Sequence, residues 1–235
     1  MLDQFDHGVF PDPHDLFPDE TGLVALGGRL TPETVSEAYS KGIFPWSGED
    51  PIPWFSPDPR LILLPGDFYR SRSLKKLLRK TQFEVKFDDN FSEVITACAN
   101  IERLNQDGTW INGRIPSVYT ELFNRGIVHC VSVFEENVLV GGLYGLTFGR
   151  VFFGESMFSR RPNASKIALS ALCQYLADAK FEMIDCQQET QHLQSLGAMS
   201  VTRVEFMERL ESGFKYPSLH HRWRFPSQSP IGDAK

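Results

Sequence analysis

The chain lacks most of the features that would mark it for export, a membrane or a metal. Its four cysteines, Cys98, Cys130, Cys173 and Cys186, form no C-x-x-C pair and are flanked by apolar sequence, the pattern of buried free thiols. No apolar run reaches the ~18 residues of a membrane span. The opening MLDQFDHGVFPDPHD is acidic and carries no apolar stretch, unlike a signal peptide. A cytoplasmic, non-membrane protein is expected, and the sequon Asn163-Ala164-Ser165 then reads as a helix start. No set of His, Cys and Asp has zinc-like spacing, and the adjacent His220 and His221 diverge on any regular element, so no metal is expected. Overall basicity is also missing, with a net charge of -6 and a pI near 5.5. Any contact with nucleic acid must come from a local patch. Internal repeats and low-complexity tracts are absent.

What remains is enough to build a core. The 235 residues are 41% apolar and include 19 phenylalanines, which suits one large domain or a domain with a smaller lobe. Residues 1–63 hold most of the prolines and one credible helix, capped at Thr31-Pro32-Glu33-Thr34 and stopped at Gly42. They read as a small Pro- and aromatic-rich lobe, followed by a second domain over 64–235. From Leu61 onward the chain alternates, with strands expected at 61–64 and 83–87, a hairpin at 128–134 and 138–146, and further strands at 151–154, 181–186 and 201–204. Helices are expected at 73–80, 91–100, 116–125, 164–180, 190–196 and 206–212. Hairpin, strand, long helix, strand is the order of an α/β domain of the Gcn5-related acyltransferase type, an α+β arrangement that by itself does not define function.

Polar groups at strand ends mark where such a protein works. The segment 151–187 places Glu155 at the end of one strand and Asp185 and Gln187 at the end of another. Period two puts Asp185 and Gln187 on one face, where an acid and an amide can orient a nucleophile; the plainer reading is a turn cap and a solvated amide. His192 is either a base or a hydrogen-bonded structural group. In the basic run 70–80, Leu74, Leu77 and Leu78 face inward, and Arg72, Lys75, Lys76, Arg79 and Lys80 spread over the outer face. That face is either simply solvated or suited to a phosphate backbone. The turn before the long helix, Phe158 to Asn163, has no glycine and one proline, which argues against a pyrophosphate cradle for acyl-CoA.

Several segments together resemble the leucyl/phenylalanyl-tRNA–protein transferases. They include Gly42-Ile43-Phe44-Pro45-Trp46, Trp54-Phe55-Ser56-Pro57-Asp58-Pro59-Arg60, Phe153-Gly154-Glu155-Ser156-Met157-Phe158-Ser159 and Ile184-Asp185-Cys186-Gln187, in family order across nearly the whole chain. The resemblance implies transfer of Leu, Phe or Met from aminoacyl-tRNA to proteins with N-terminal Lys or Arg, marking them for N-degron degradation. It implies no metal and no CoA; a monomer is expected. It gives Asp185, Gln187 and Glu155 catalytic roles. A donor side-chain pocket would comprise Tyr39, Trp46, Trp110, Leu143, Leu172, Leu176 and Ile184, with Thr190 beside it. The basic helix would hold the tRNA acceptor stem through its phosphates.

Overall fold

A computed structural model describes residues 4–5, 10–12, 21–79, 82–101 and 109–224. The proline-rich first part is built around a four-stranded sheet. Its strands are β1 (Gln4–Phe5), β2 (Leu23–Gly27), β3 (Phe44–Pro45) and β4 (Pro53–Phe55), in the order β1-β2-β4-β3. Helix α1 (Pro32–Ser40) crosses between β2 and β3 in sequence. Its start follows the expected logic: the Thr31 hydroxyl accepts from the Thr34 amide, and Pro32 occupies the first turn, where its missing N–H is not needed.

The second sheet begins earlier than the composition break suggests. Strand β5 (Arg60–Leu63), which the expected boundary assigns to the first lobe, is a strand of the seven-stranded sheet. Helix α2 (Arg72–Leu78), strand β6 (Phe83–Phe87), helix α3 (Phe91–Ala99) and helix α4 (Ile115–Asn124) follow. Next come strands β7 (Val128–Glu135), β8 (Val138–Phe148) and β9 (Val151–Ser159), then helix α5 (Ala164–Asp178), strand β10 (Met183–Gln187) and helix α6 (Gln191–Gln194). Strand β11 (Met199–Val201) and helix α7 (Arg203–Phe214) complete the described order. The sheet runs β11-β5-β10-β9-β8-β7-β6. All its pairs are antiparallel except β9 with β10, which α5 connects. The expected hairpin–strand–long helix–strand order is therefore realised as a mixed α/β sheet.

Alternation along the strands feeds two cores. Ile62 packs with residues of α1, α3 and α4, while its neighbours Leu61 and Leu63 pack with α2 and α5. Helix α5 lies so close to β8 that a Cβ on Gly141 would stand 2.5 Å from the Ala164 Cβ. Only glycine admits that approach. The expected Asn163 cap is not formed: Asn163 has a left-handed backbone and makes no capping bond. The Ser159 hydroxyl instead accepts from the Ser165 amide at 2.8 Å, so the last residue of β9 caps the helix after it.

Candidate active site

The site lies where β9 and β10 part company. The two strands pair in parallel through Met183–Val151, Ile184–Phe152 and Asp185–Phe153, and no further. Beyond this point β9 continues to Ser159, so Glu155 sits in mid-strand rather than at the strand end that the sequence suggests. On the other side, a register irregularity against β5 falls between Asp185 and Gln187. Gln187 has a left-handed backbone, with φ of 64°, an uncommon conformation for a side-chain-bearing residue. A side-chain bond spans the gap so opened: the Gln187 amide donates to Glu155 Oε1 at 2.9 Å.

Above the gap is a cavity of about 840 Å³. Trp46, Trp110, Leu143, Leu172, Ile184 and Thr190, all among the expected pocket residues, line it. Phe44, Phe152, Met157, Leu169 and Cys186 complete its apolar wall, and Glu155, Gln187, Gln188 and His192 supply polar groups. This is the usual make-up of a small-ligand site, an apolar body with a few converging polar atoms. Thr190 also caps α6, its hydroxyl accepting from the Leu193 amide. Burial and, after it, the charge of Lys166 hold His192 below the ordinary imidazole value.

Two expected pocket residues are elsewhere. Leu176 lies one turn beyond Leu172 on α5 and is fully buried in the helix–sheet core. Tyr39 is buried behind Glu155: its hydroxyl donates to Glu155 Oε1 at 2.7 Å. Tyr119 of α4, which the sequence does not single out, donates to Glu155 Oε2 at 3.1 Å and lies 2.9 Å from the Tyr39 hydroxyl. Burial, opposed by these hydrogen bonds and reinforced by the nearby charge of Asp185, raises the Glu155 carboxyl from 4.5 to about 7. Burial and then the charge of Glu155 raise both phenols well above their usual value, so both stay protonated.

Asp185 has different company. It is fully buried and does not line the cavity, so the shared face expected for Asp185 and Gln187 becomes a stacked arrangement, with Asp185 beneath. Arg60 grips it with both arms, Nε to Oδ1 at 2.8 Å and an Nη to Oδ2 at 2.7 Å. The guanidinium also lies over the rings of Phe44 and Phe206. Oδ1 accepts the Gln187 backbone N–H at 2.8 Å. Asp185 therefore fixes the backbone that carries Gln187. Sequence alone does not single out Arg60 as a site residue, because its partner lies 125 residues away.

Arg72, Lys75, Lys76 and Arg79 are exposed on and just beyond α2. Lys80 lies outside the described residues. Leu74 buries the opposite side of α2 in the same core as α5, whose Leu169 and Leu172 wall the cavity. Among the described residues, no helix is long and apolar enough to cross a membrane. Among the same residues, no three His, Cys, Asp or Glu side chains gather as a metal site requires.

A mixed sheet opened between two parallel strands, with an amide and a carboxylate at the foot of an apolar cavity, defines an α/β protein with a small-ligand site. Family models narrow the class. The model for leucyl/phenylalanyl-tRNA protein transferase matches residues 62–211, and that for the N-terminal domain of the same transferase matches 28–58. A leucyl/phenylalanyl-tRNA–protein transferase from Hydrogenovibrio crunogenus is 53% identical over 199 residues, 84% of this chain and 78% of that one. One from Dechloromonas aromatica is 49% identical over 231 residues, covering 95% and 97% of the two chains. The chain belongs to the leucyl/phenylalanyl-tRNA–protein transferase family. Among solved structures, a GCN5-related N-acetyltransferase from Kribbella flavida aligns at 12% identity over 71% of this chain and 60% of that one, with a TM-score of 0.34.

Proposed function

We propose that the protein transfers Leu, Phe or Met from aminoacyl-tRNA to the N-terminal Lys or Arg of acceptor proteins, and so marks them for degradation through an N-degron pathway. The observation that carries this reading is the juxtaposition of an apolar cavity with the Glu155–Gln187 pair at its foot. The cavity suits a donor side chain that is aromatic or is not branched at Cβ. The carboxylate suits two positive groups, an α-ammonium and a basic acceptor side chain. The α-ammonium has a pKa of about 7.7–8.0, so part of it is already a nucleophile at cell pH.

The donor ester is activated before it arrives, so the enzyme's work is positioning, proton handling and stabilisation of the developing oxyanion. Gln187 contacts the attacking amine. Asp185, committed to Arg60 and to the Gln187 backbone, acts by holding Gln187 in place and by its field. The cluster Arg72, Lys75, Lys76, Arg79 and Lys80 takes the phosphates of the acceptor stem. The glycine-free turn before α5, with the Ser165 amide already occupied by Ser159, favours an aminoacyl-tRNA donor over acyl-CoA. On this reading the enzyme works as a cytoplasmic monomer with no cofactor.

The test is transfer of labelled Leu or Phe from charged tRNA to a peptide beginning with Arg and to one beginning with Ala, with CoA absent. Transfer to the Arg peptide alone is expected. Transfer to neither by the folded protein would remove the reading.

A further inference from the structure

We infer that Glu155, Tyr39 and Tyr119 form a closed hydrogen-bonded ring that takes up the acceptor amine's proton and returns it to the leaving tRNA oxygen. This rests on the aminoacyl-transfer reading above and adds to it the group that carries the proton.

Three oxygen–oxygen contacts close the ring: Tyr39 to Glu155 Oε1 at 2.7 Å, Tyr39 to Tyr119 at 2.9 Å, and Tyr119 to Glu155 Oε2 at 3.1 Å. When Glu155 is ionised, two phenolic hydrogens serve three contacts, and one oxygen pair faces itself without a hydrogen. When Glu155 carries a proton, three hydrogens serve three contacts. Each phenol then donates once and accepts once, the carboxyl donates through one oxygen and accepts through the other, and the Gln187 amide still donates to Oε1. The ring closes in either sense, so a proton landing on either carboxyl oxygen is accommodated by turning the two phenols. Buried polar networks are most favourable when every member is satisfied. This one is complete only in its protonated form, yet it stands at the mouth of the β9–β10 gap, where Glu155 lines the cavity.

Among the described residues, no cation bonds to the ring. The groups facing Glu155 are Tyr39 from α1, Tyr119 from α4, and Asp185 and Gln187 from β10. Arg60 directs its Nε and one Nη at Asp185 and not at the ring, and His192 of α6 lines the same cavity. A carboxylate attended by neutral donors gains and loses a proton near neutrality, consistent with the value of about 7 that burial gives it.

The step balances. The acceptor α-ammonium first loses a proton to water. The neutral nitrogen attacks the ester carbonyl carbon, the C–N bond forms, and the carbonyl π pair moves to oxygen. One N–H proton passes to the Glu155 carboxylate. The pair returns, the bond to the tRNA ribose oxygen breaks, and the Glu155 proton goes to that oxygen. Glu155 ends ionised, as it began. Tyr39 and Tyr119 are positioning residues, since they act through Glu155.

The experiment is the pH dependence, from about 5.5 to about 9, of single-turnover transfer from Phe-tRNA to an Arg peptide, for wild type, Glu155→Gln and Tyr119→Phe, with tRNA affinity measured in parallel. Wild type is expected to show a limb near pH 7. Glu155→Gln is expected to lose about 100-fold or more in rate, to lose that limb, and to keep its tRNA affinity. Tyr119→Phe, which leaves the carboxylate in place, is expected to displace the limb, an effect that mere loosening of the fold would not have. An active wild type whose limb survives in Glu155→Gln, or whose limb is unmoved in Tyr119→Phe, overturns the ring while leaving the transfer reading intact. An inactive wild type overturns both.

Discussion

Two carboxylates on neighbouring strands have opposite surroundings. Asp185 of β10 lies under the cavity floor, in the grip of a buried guanidinium. Glu155 of β9 lies at the cavity, hydrogen-bonded by two phenols and an amide rather than by a cation. The same functional group anchors a backbone turn in one place and exchanges a proton in the other. A cation sets the first; a complete set of neutral donors sets the second. This is how one site can combine a rigid floor with acid–base chemistry near neutral pH.

The contrast can be broken most violently from the Asp185 side. Arg60→Ala leaves a fully buried aspartate without its ion partner and is expected to destabilise the fold by about 3–5 kcal/mol, read by urea denaturation. Gln187 should lose its fixed backbone as well. A change under about 1 kcal/mol would show that Asp185 does not depend on Arg60.

The Glu155 side should reveal itself through pH. Its carboxyl is raised from 4.5 to about 7 in the folded protein. The protonated form is thus the one the fold favours. That contribution is complete below pH 4.5 and is lost as pH rises through about 7, because folding then holds an unfavourable buried charge. Between about pH 5 and about pH 8 wild type should lose up to about 3 kcal/mol of stability relative to Glu155→Gln. Parallel stability curves for the two proteins would contradict it.

The cavity wall is a finer test, because it alters neither carboxylate. Leu172→Phe adds a ring to the apolar wall and should reduce transfer of Phe more than of Leu, by about 1–3 kcal/mol in relative kcat/KM. Smallest per residue is the surface. Replacing Lys75 or Lys76 with Ala should leave the rate from bound tRNA unchanged. The slope of log tRNA affinity against log salt should fall by about 1 for each phosphate that is no longer neutralised. An unchanged slope would place the tRNA backbone elsewhere.

Much of the fold is legible in the chain, for local reasons. Thr31-Pro32 starts α1 by chemistry contained within one turn, and the period of 3.6 in 164–180 gives α5. The basic residues of α2 separate from Leu74 by the same periodicity. The site is legible only in part. Glu155, Asp185 and Gln187 stand out because polar residues follow apolar strands. Their relation does not stand out. The irregularity after Asp185 depends on pairing with β5, more than a hundred residues upstream. Period-two reasoning misses it and puts Asp185 and Gln187 side by side. Arg60 and Tyr119 are invisible for the same reason: their partners are distant in sequence, and nothing local tells a buried Arg or Tyr from a surface one. The strand expected over 151–154 stops short of β9, which runs on to Ser159.

The most direct test of the division between the two carboxylates is a carbon-13 NMR titration of glutamate carboxyls in the free protein. The Glu155 resonance is identified by its absence from Glu155→Gln. This signal is expected to move with a midpoint near 7. A midpoint between about 4 and 5, the range of an ordinary glutamate, would contradict it.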